Sequence, residues 1–353
     1  MNDPIEEAIV AVLPALLGTL TALEGIGRYL HPPLQPALIE RLGNLDTQLH
    51  AGVRALNAAA WPEPMAPFRD QLVLACTHTL RAADGLRAAP GEANPLFAAS
   101  RALRQTGRAV EALYPIAGVL PSVSRFFLEP DRDDPASRTM TTPEGSGVLH
   151  ASNDVGTRGG FSVYIPEWID RAAPVPVVFA LHGGSGHGRL FLWNWVREAR
   201  SRGFIVVAPT ARGDTWSLME PEVDSENLLD ILGEVEKRYS IDPTRRLLTG
   251  MSDGGTFTLL SGLNAESPFT HLAPVAASFH PMMVAMSDPG RIRDLPIYLI
   301  HGALDWMFPV SMGRMAAGTL RNAGAGVTYR EVADLSHTYP RDENAGILEW
   351  FGL

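Results

Sequence analysis

Residues 247–256 read LLTGMSDGGT, and the fold turns on why Ser252 stands between Gly250 and Gly254, with Gly255 next, directly behind a short apolar run. A free serine hydroxyl is a poor nucleophile, so a chain that uses one must expose the oxygen and set a base beside it. Glycine on either side permits that exposure. In the G-x-S-x-G elbow the serine occupies a strained strand-to-helix turn, where bulk two residues away would collide with neighbouring backbone. The competing reading is a glycine-rich turn whose serine merely faces solvent, and the rest of the chain decides between them.

Outward from the elbow, short β-rich runs occur at 161–165, 175–180, 204–207, 247–249, 275–277 and 297–300, with VTYREV as a last one near the end. Helical stretches such as DSENLLDILGEVEKRYS separate several of them, which predicts a mostly parallel α/β sheet. Ligand crevices of such sheets lie at the carboxyl ends of the strands. Four motifs fall there. LHGGSGHG, residues 181–188, follows the run PVVFA, and its glycines leave backbone N–H groups free to face a developing oxyanion. It lacks the GK[ST] ending of a phosphate-binding loop. The Ser252 elbow is the second motif. Asp305, in IYLIHGALDWMFPV, sits just past a strand end and before a helix start, and His337, in DLSHTYP, follows the last strand-like run. Ser, Asp and His in this chain order are the order of one triad fold among several.

With these motifs in place the chain resembles the α/β-hydrolase serine esterases of the phospholipase/carboxylesterase kind and the neighbouring polyhydroxybutyrate-depolymerase and feruloyl-esterase branch. The resemblance covers roughly residues 145–353 and rests on YSIDPTRRLLTGMSDGG, HGALDWMFPV and HTYPRDENAGILEWF. It implies Ser252 as nucleophile, His337 as base and Asp305 as the acid that orients it, acting through an acyl-enzyme without cofactor or metal, and Trp216, Trp306, Met307 and Phe308 in the loops around the expected pocket point to small to medium apolar or aromatic esters. The glycine loop reads HGGSG rather than HGGG. Gly184 is the expected first oxyanion donor and Asp253, the residue after the nucleophile, the second. Gly183, Ser185, His187, Trp216, His280, Trp306 and Met307 are candidates for the pocket, with Phe308 beside them. Asp334 is the rival acid, whereas His182 and His301 read as loop anchors. The same triad serves polyester depolymerases, peptidases and acyltransferases, and a non-catalytic hydrolase fold acting as an interaction module is the reading from another class. The stretch from His280 to Asp305 is too short for a long lid.

The first third has a different period. Asp3-Pro4 with Glu6, and Asn94-Pro95, give cap-and-proline helix starts. Leu38, Leu42, Leu45, Leu49, Val53 and Leu56 recur at steps of three and four, predicting one apolar helical face. Proline clusters divide this region into about four helices. The predicted organisation is a helical bundle at 1–115, a linker at 116–145 and an α/β-hydrolase domain at 146–353. The bundle is expected to serve as a lid or in dimerisation, since the apolar stretch IAGVLPSVSRFFLEP calls for burial.

Composition bounds the partners. The chain has 353 residues, 46% hydrophobic and 19% charged, enough apolar content for a sizeable core. Its net charge of −10 comes with no basic run, which argues against nucleic acid. Lys237 is the one lysine, leaving none elsewhere as a catalytic base. Cys76 is the one cysteine, so no intramolecular disulfide and no thiolate metal cluster forms. Acidic residues stand where a signal peptide would be basic, and no run is expected to serve as a membrane span. The expectation is a soluble cytoplasmic protein acting on a small-molecule ester.

Overall fold

The computed structural model describes residues 4–130, 132–133 and 143–353. The cap expected at Asp3 and most of the polar stretch 131–142 lie outside them. The chain divides into two compact units, 1–128 and 129–353. The helical unit therefore runs past 115: the segment 116–128, expected as linker, carries a helix of its own. Pro121 opens that helix at its first position, and Val123 on it is buried.

The helices of this unit are α1 (Pro4–Arg28), α2 (Gln35–Leu42), α3 (Leu45–Ala58), α4 (Ala66–Ala88), α5 (Pro95–Leu113) and α6 (Pro121–Phe126). Asn94 caps α5, its side chain accepting from the Phe97 N–H, with Pro95 at the first position. The leucine stripe is not one face of one helix. Gly43 turns the chain with φ of 51° and ends α2, so Leu38 and Leu42 are buried from one helix, Leu49 and Leu56 from the next, and Leu45 is exposed. Val119 is exposed as well, while the Phe127 ring stands edge-on to Tyr114 at 5.2 Å. By length and composition α1 is long and apolar enough to cross a membrane. In this unit Val12, Leu16, Leu20 and Leu23 of α1 are buried. Cys76 on α4 is wholly buried, and burial pushes its thiol up to about 12.

In the second unit the strands are β1 (Gly147–Ala151), β2 (Phe161–Ile165), β3 (Val175–Leu181), β4 (Ile205–Pro209), β5 (Ile241–Met251), β6 (His271–Val275), β7 (Pro296–Gly302) and β8 (Gly326–Val332). The helices are α7 (Gly188–Phe191), α8 (Val196–Arg202), α9 (Glu222–Glu236), α10 (Asp253–Gly262), α11 (Met282–Ala285), α12 (Pro289–Ile292), α13 (Val310–Asn322) and α14 (Asn344–Phe351). Among the described residues the strands form one eight-stranded sheet in the order β1-β2-β4-β3-β5-β6-β7-β8. β1 and β2 pair antiparallel, β2 runs antiparallel to β4, and the rest is parallel. Every residue of β3 is buried, as a central parallel strand covered on both faces requires.

Two strands escape the sequence reading. β1 reads GVLHA, with too few apolar residues to announce itself. β6 lies at 271–275 instead of 275–277: His271 and Pro274 mask it, because proline argues against a central strand. Pro274 is accommodated where the β6–β7 register is sparse, with partners at Leu272–Ile297 and Val275–Ile300. The chain then leaves the strand through Ala276, at φ of 47°.

Candidate active site

β5 ends at Met251 and α10 starts at Asp253, so Ser252 is the whole turn. Its φ is 56° and ψ −118°, a sparsely populated backbone that costs a non-glycine residue about 1–3 kcal/mol. The Ser252 N–H donates to Val275 O at 3.0 Å, tying the turn to the end of β6. The flanking glycines are needed for space. A Cβ on Gly250 would lie 2.5 Å from Gly254 O, and one on Gly254 2.5 Å from His182 O.

Asp305 follows β7 and His337 lies beyond β8. His337 Nε2 stands 2.9 Å from Ser252 Oγ, and His337 Nδ1 is 2.8 Å from Asp305 Oδ2. With the carboxylate accepting at Nδ1–H, Nε2 is left to accept the serine proton. The other carboxylate oxygen, Oδ1, accepts from the N–H groups of Met307 and Phe308 at 2.9 and 2.8 Å. The Asp305 side chain is fully buried. His301 donates through Nε2 to Phe308 O at 2.9 Å and so anchors the same turn. Asp334, the rival acid, is exposed. Trp306 and Phe308 set their rings edge-on to His337, at 6.1 and 5.3 Å. Tyr339, two residues past the histidine, wedges between Phe191 and Trp195, and its hydroxyl donates to Asn344 Oδ1. That packing fixes the loop bearing His337.

The glycine loop lies beside the serine. A Cβ on Gly183 would come within 3.6 Å of Ser252 Cβ, and one on Gly184 within 2.8 Å of Asp253 Oδ2. His182 accepts at Nε2 from Ala211 N–H and donates from Nδ1 to Gly183 O, so it is a loop anchor. Ser185 is exposed at φ of 54°.

Two pocket candidates have other places. Trp216 is 2% exposed: its indole donates to His182 O at 2.7 Å and its ring stacks on Phe257. It belongs to the scaffold under the glycine loop, not to a rim. His187 caps α7, accepting from Arg189 N–H at Nδ1 and donating from Nε2 to Thr157 O. Burial pushes its imidazole toward the neutral form. His280 is exposed and accepts from Met282 N–H. Trp306 and Met307 are partly exposed, as a rim requires.

Sequence reasoning missed Arg158, Thr215 and Asp224. Thr215 donates to Asp253 Oδ2 at 2.5 Å. The fully buried Asp224 accepts from the N–H groups of Arg212 and Ser217, holding the loop that carries Thr215 and Trp216. Bonds of this kind join side chains to groups well separated in the chain and carry no spacing signature.

A mostly parallel sheet in this order, with a serine elbow after the fifth strand, an acid after the seventh and a histidine after the eighth, is the α/β-hydrolase fold. Residues 224–350 match the model of the Phospholipase/Carboxylesterase family. A curated relative, the bifunctional acetylxylan esterase/xylanase XynS20E of Neocallimastix patriciarum, is 29% identical over 196 residues, 53% of this chain. The match spans only 27% of that relative's length. Among solved structures, a thermostable esterase is 21% identical with a TM-score of 0.48, covering 58% of this chain and 62% of its own. SOBER1 of Arabidopsis thaliana is 18% identical with a TM-score of 0.42, covering 50% of this chain and 97% of its own.

Proposed function

We propose that this domain is a serine carboxylic-ester hydrolase working through a Ser-His-Asp triad and an acyl-enzyme. The observation that carries the reading is the continuous chain Ser252 Oγ, His337 Nε2, His337 Nδ1, Asp305 Oδ2, with links of 2.9 and 2.8 Å. Ser252 attacks the ester carbonyl as its proton passes to His337 Nε2, and Asp305 stabilises the imidazolium. The Gly184 and Asp253 amides receive the oxyanion. His337 then gives the proton to the departing alkoxide, and water activated by the same nitrogen releases the acid. The partly exposed Trp306 and Met307 favour apolar or aromatic esters of small to medium size.

A second reading, removal of acetyl groups from carbohydrate esters, draws support from the segment shared with the acetylxylan esterase/xylanase. A panel of esters varied separately in acyl and alcohol parts, acetylated sugars included, separates the two. A fluorophosphonate should label Ser252 stoichiometrically, and Ser252→Ala should lose labelling together with turnover, a fall on the order of 10⁴- to 10⁶-fold in kcat. Near-normal turnover by Ser252→Ala overturns the proposal.

A further inference from the structure

The loop 152–160 between β1 and β2 is bonded to the glycine loop. Arg158 donates from Nη1 to Gly186 O and from Nε to Gly213 O, both at 2.7 Å. Beside it, Thr157 O accepts from His187 Nε2 at 3.0 Å. Asn153 Oδ1 accepts from Thr210 Oγ1, which in turn accepts from Gly188 N–H. The loop thus held is strained: Gly186 N–H closes onto Gly183 O at 3.0 Å, and Ser185 within that turn has φ of 54°. A serine keeps such a backbone only where its surroundings over-determine it. Arg158 supplies part of that constraint, fixing the peptide that leaves the turn.

The second carbonyl held by Arg158 matters equally. Gly213 stands two residues before Thr215, which bonds Asp253, and three before Trp216, which bonds His182 O. One planar guanidinium therefore joins the loop bearing Gly184 to the loop that braces both His182 and the residue after the nucleophile. Two carbonyls at fixed relative angle suit the forked donors of arginine, whereas a lysine ammonium has no such fixed fork.

We infer that Arg158 is a positioning residue for the oxyanion hole, holding the Gly184 and Asp253 amides in register with Ser252 while touching neither substrate nor triad. The inference rests on the proposed reading of those two amides as oxyanion donors. Losing it lets the Ser185 turn relax and costs transition-state stabilisation, with the ground-state ester still bound.

The test uses the full chain with Arg158→Ala, Arg158→Lys and Ser252→Ala. A trifluoromethyl ketone is the probe, because Ser252 adds to its carbonyl, the proton goes to His337 Nε2, and the oxyanion settles on the two amides. Arg158→Ala should lower kcat roughly 10- to 100-fold, somewhat less than loss of a whole oxyanion donor. KM for a short ester should stay within about twofold, and ketone affinity should fall by the same factor as kcat/KM. Arg158→Lys should lie between, and millimolar guanidinium should restore part of the alanine variant's kcat. Unchanged kcat, a fall not matched by ketone affinity, or a loss carried by KM overturns the inference. Should Arg158→Ala not fold, Arg158→Lys is judged by the same criteria. Full turnover by Ser252→Ala sinks the functional reading itself, whereas a dead Ser252→Ala beside an unaffected Arg158→Ala sinks the positioning role alone.

Discussion

At the scale of single residues, the site is built from groups that cannot be exchanged for near relatives. Asp305 illustrates this. Both of its oxygens are used, one on the imidazole and one on two backbone amides, so an amide in its place turns a donor toward His337 Nδ1 or toward the Met307 and Phe308 N–H groups. Asp305→Asn should cut kcat by about 10⁴-fold with its fold retained, and Asp334→Asn should stay near the parent. Steady-state kinetics on one ester checks both, and a worse Asp334→Asn would reassign the acid. That Ser252, Asp305 and His337 stand within hydrogen-bonding distance of one another was legible in the sequence, because glycines and short apolar runs mark the strand ends that bring them together. Trp216 and His187 were misjudged for the opposite reason. Both stand in loops next to site motifs, but their burial is decided by Phe257, Thr157 and Thr210, far off in the chain. Arg158 left no trace, since a side chain that grips carbonyls asks nothing of its partners' identities.

Among the elements, α2, α3 and α4 meet at an ion pair that the leucine stripe did not announce. Arg87 on α4 donates to Asp46 at 2.6 and 2.7 Å, and to Gly43 O at 2.9 Å, where α2 ends. The bond from Arg87, followed by its charge, holds the Asp46 carboxyl below its usual value of 3.8. A carboxyl depressed in the folded state adds stability above its unfolded value, and loses it as pH falls through the folded one. Arg87→Ala should therefore destabilise the helical unit by about 1–2 kcal/mol at pH 7, discounted for the partial exposure of the arginine. The gap to the parent should begin to narrow below about pH 4, leaving the share that the bond to Gly43 O contributes. Urea titrations followed by far-UV circular dichroism at pH 7, 5 and 3.5 measure it, and a gap constant across that range counts against the pairing. Element types in this region followed from prolines and capping residues. The break at Gly43 did not, because a 3.6-residue period continues across a helix end when the next helix resumes in phase.

For the whole molecule, two compact units each bury a core of their own. Dimerisation through the helical unit is our expectation for the intact chain. Sedimentation equilibrium across micromolar concentrations tests it, and a single species of 38.2 kDa throughout would reject it. The lone thiol gives the helical unit a reporter of its own. Cys76 is sealed within α4 and disfavoured as a thiolate, so an alkylating reagent finds neither access nor nucleophile until that helix opens. Its alkylation rate is thus a clock for opening of this half, and fluorophosphonate capture at Ser252 reads the other half in the same tube. Arg87→Ala should make the thiol clock run faster at pH 7, by about the factor its lost stability predicts when opening and closing outpace the reagent.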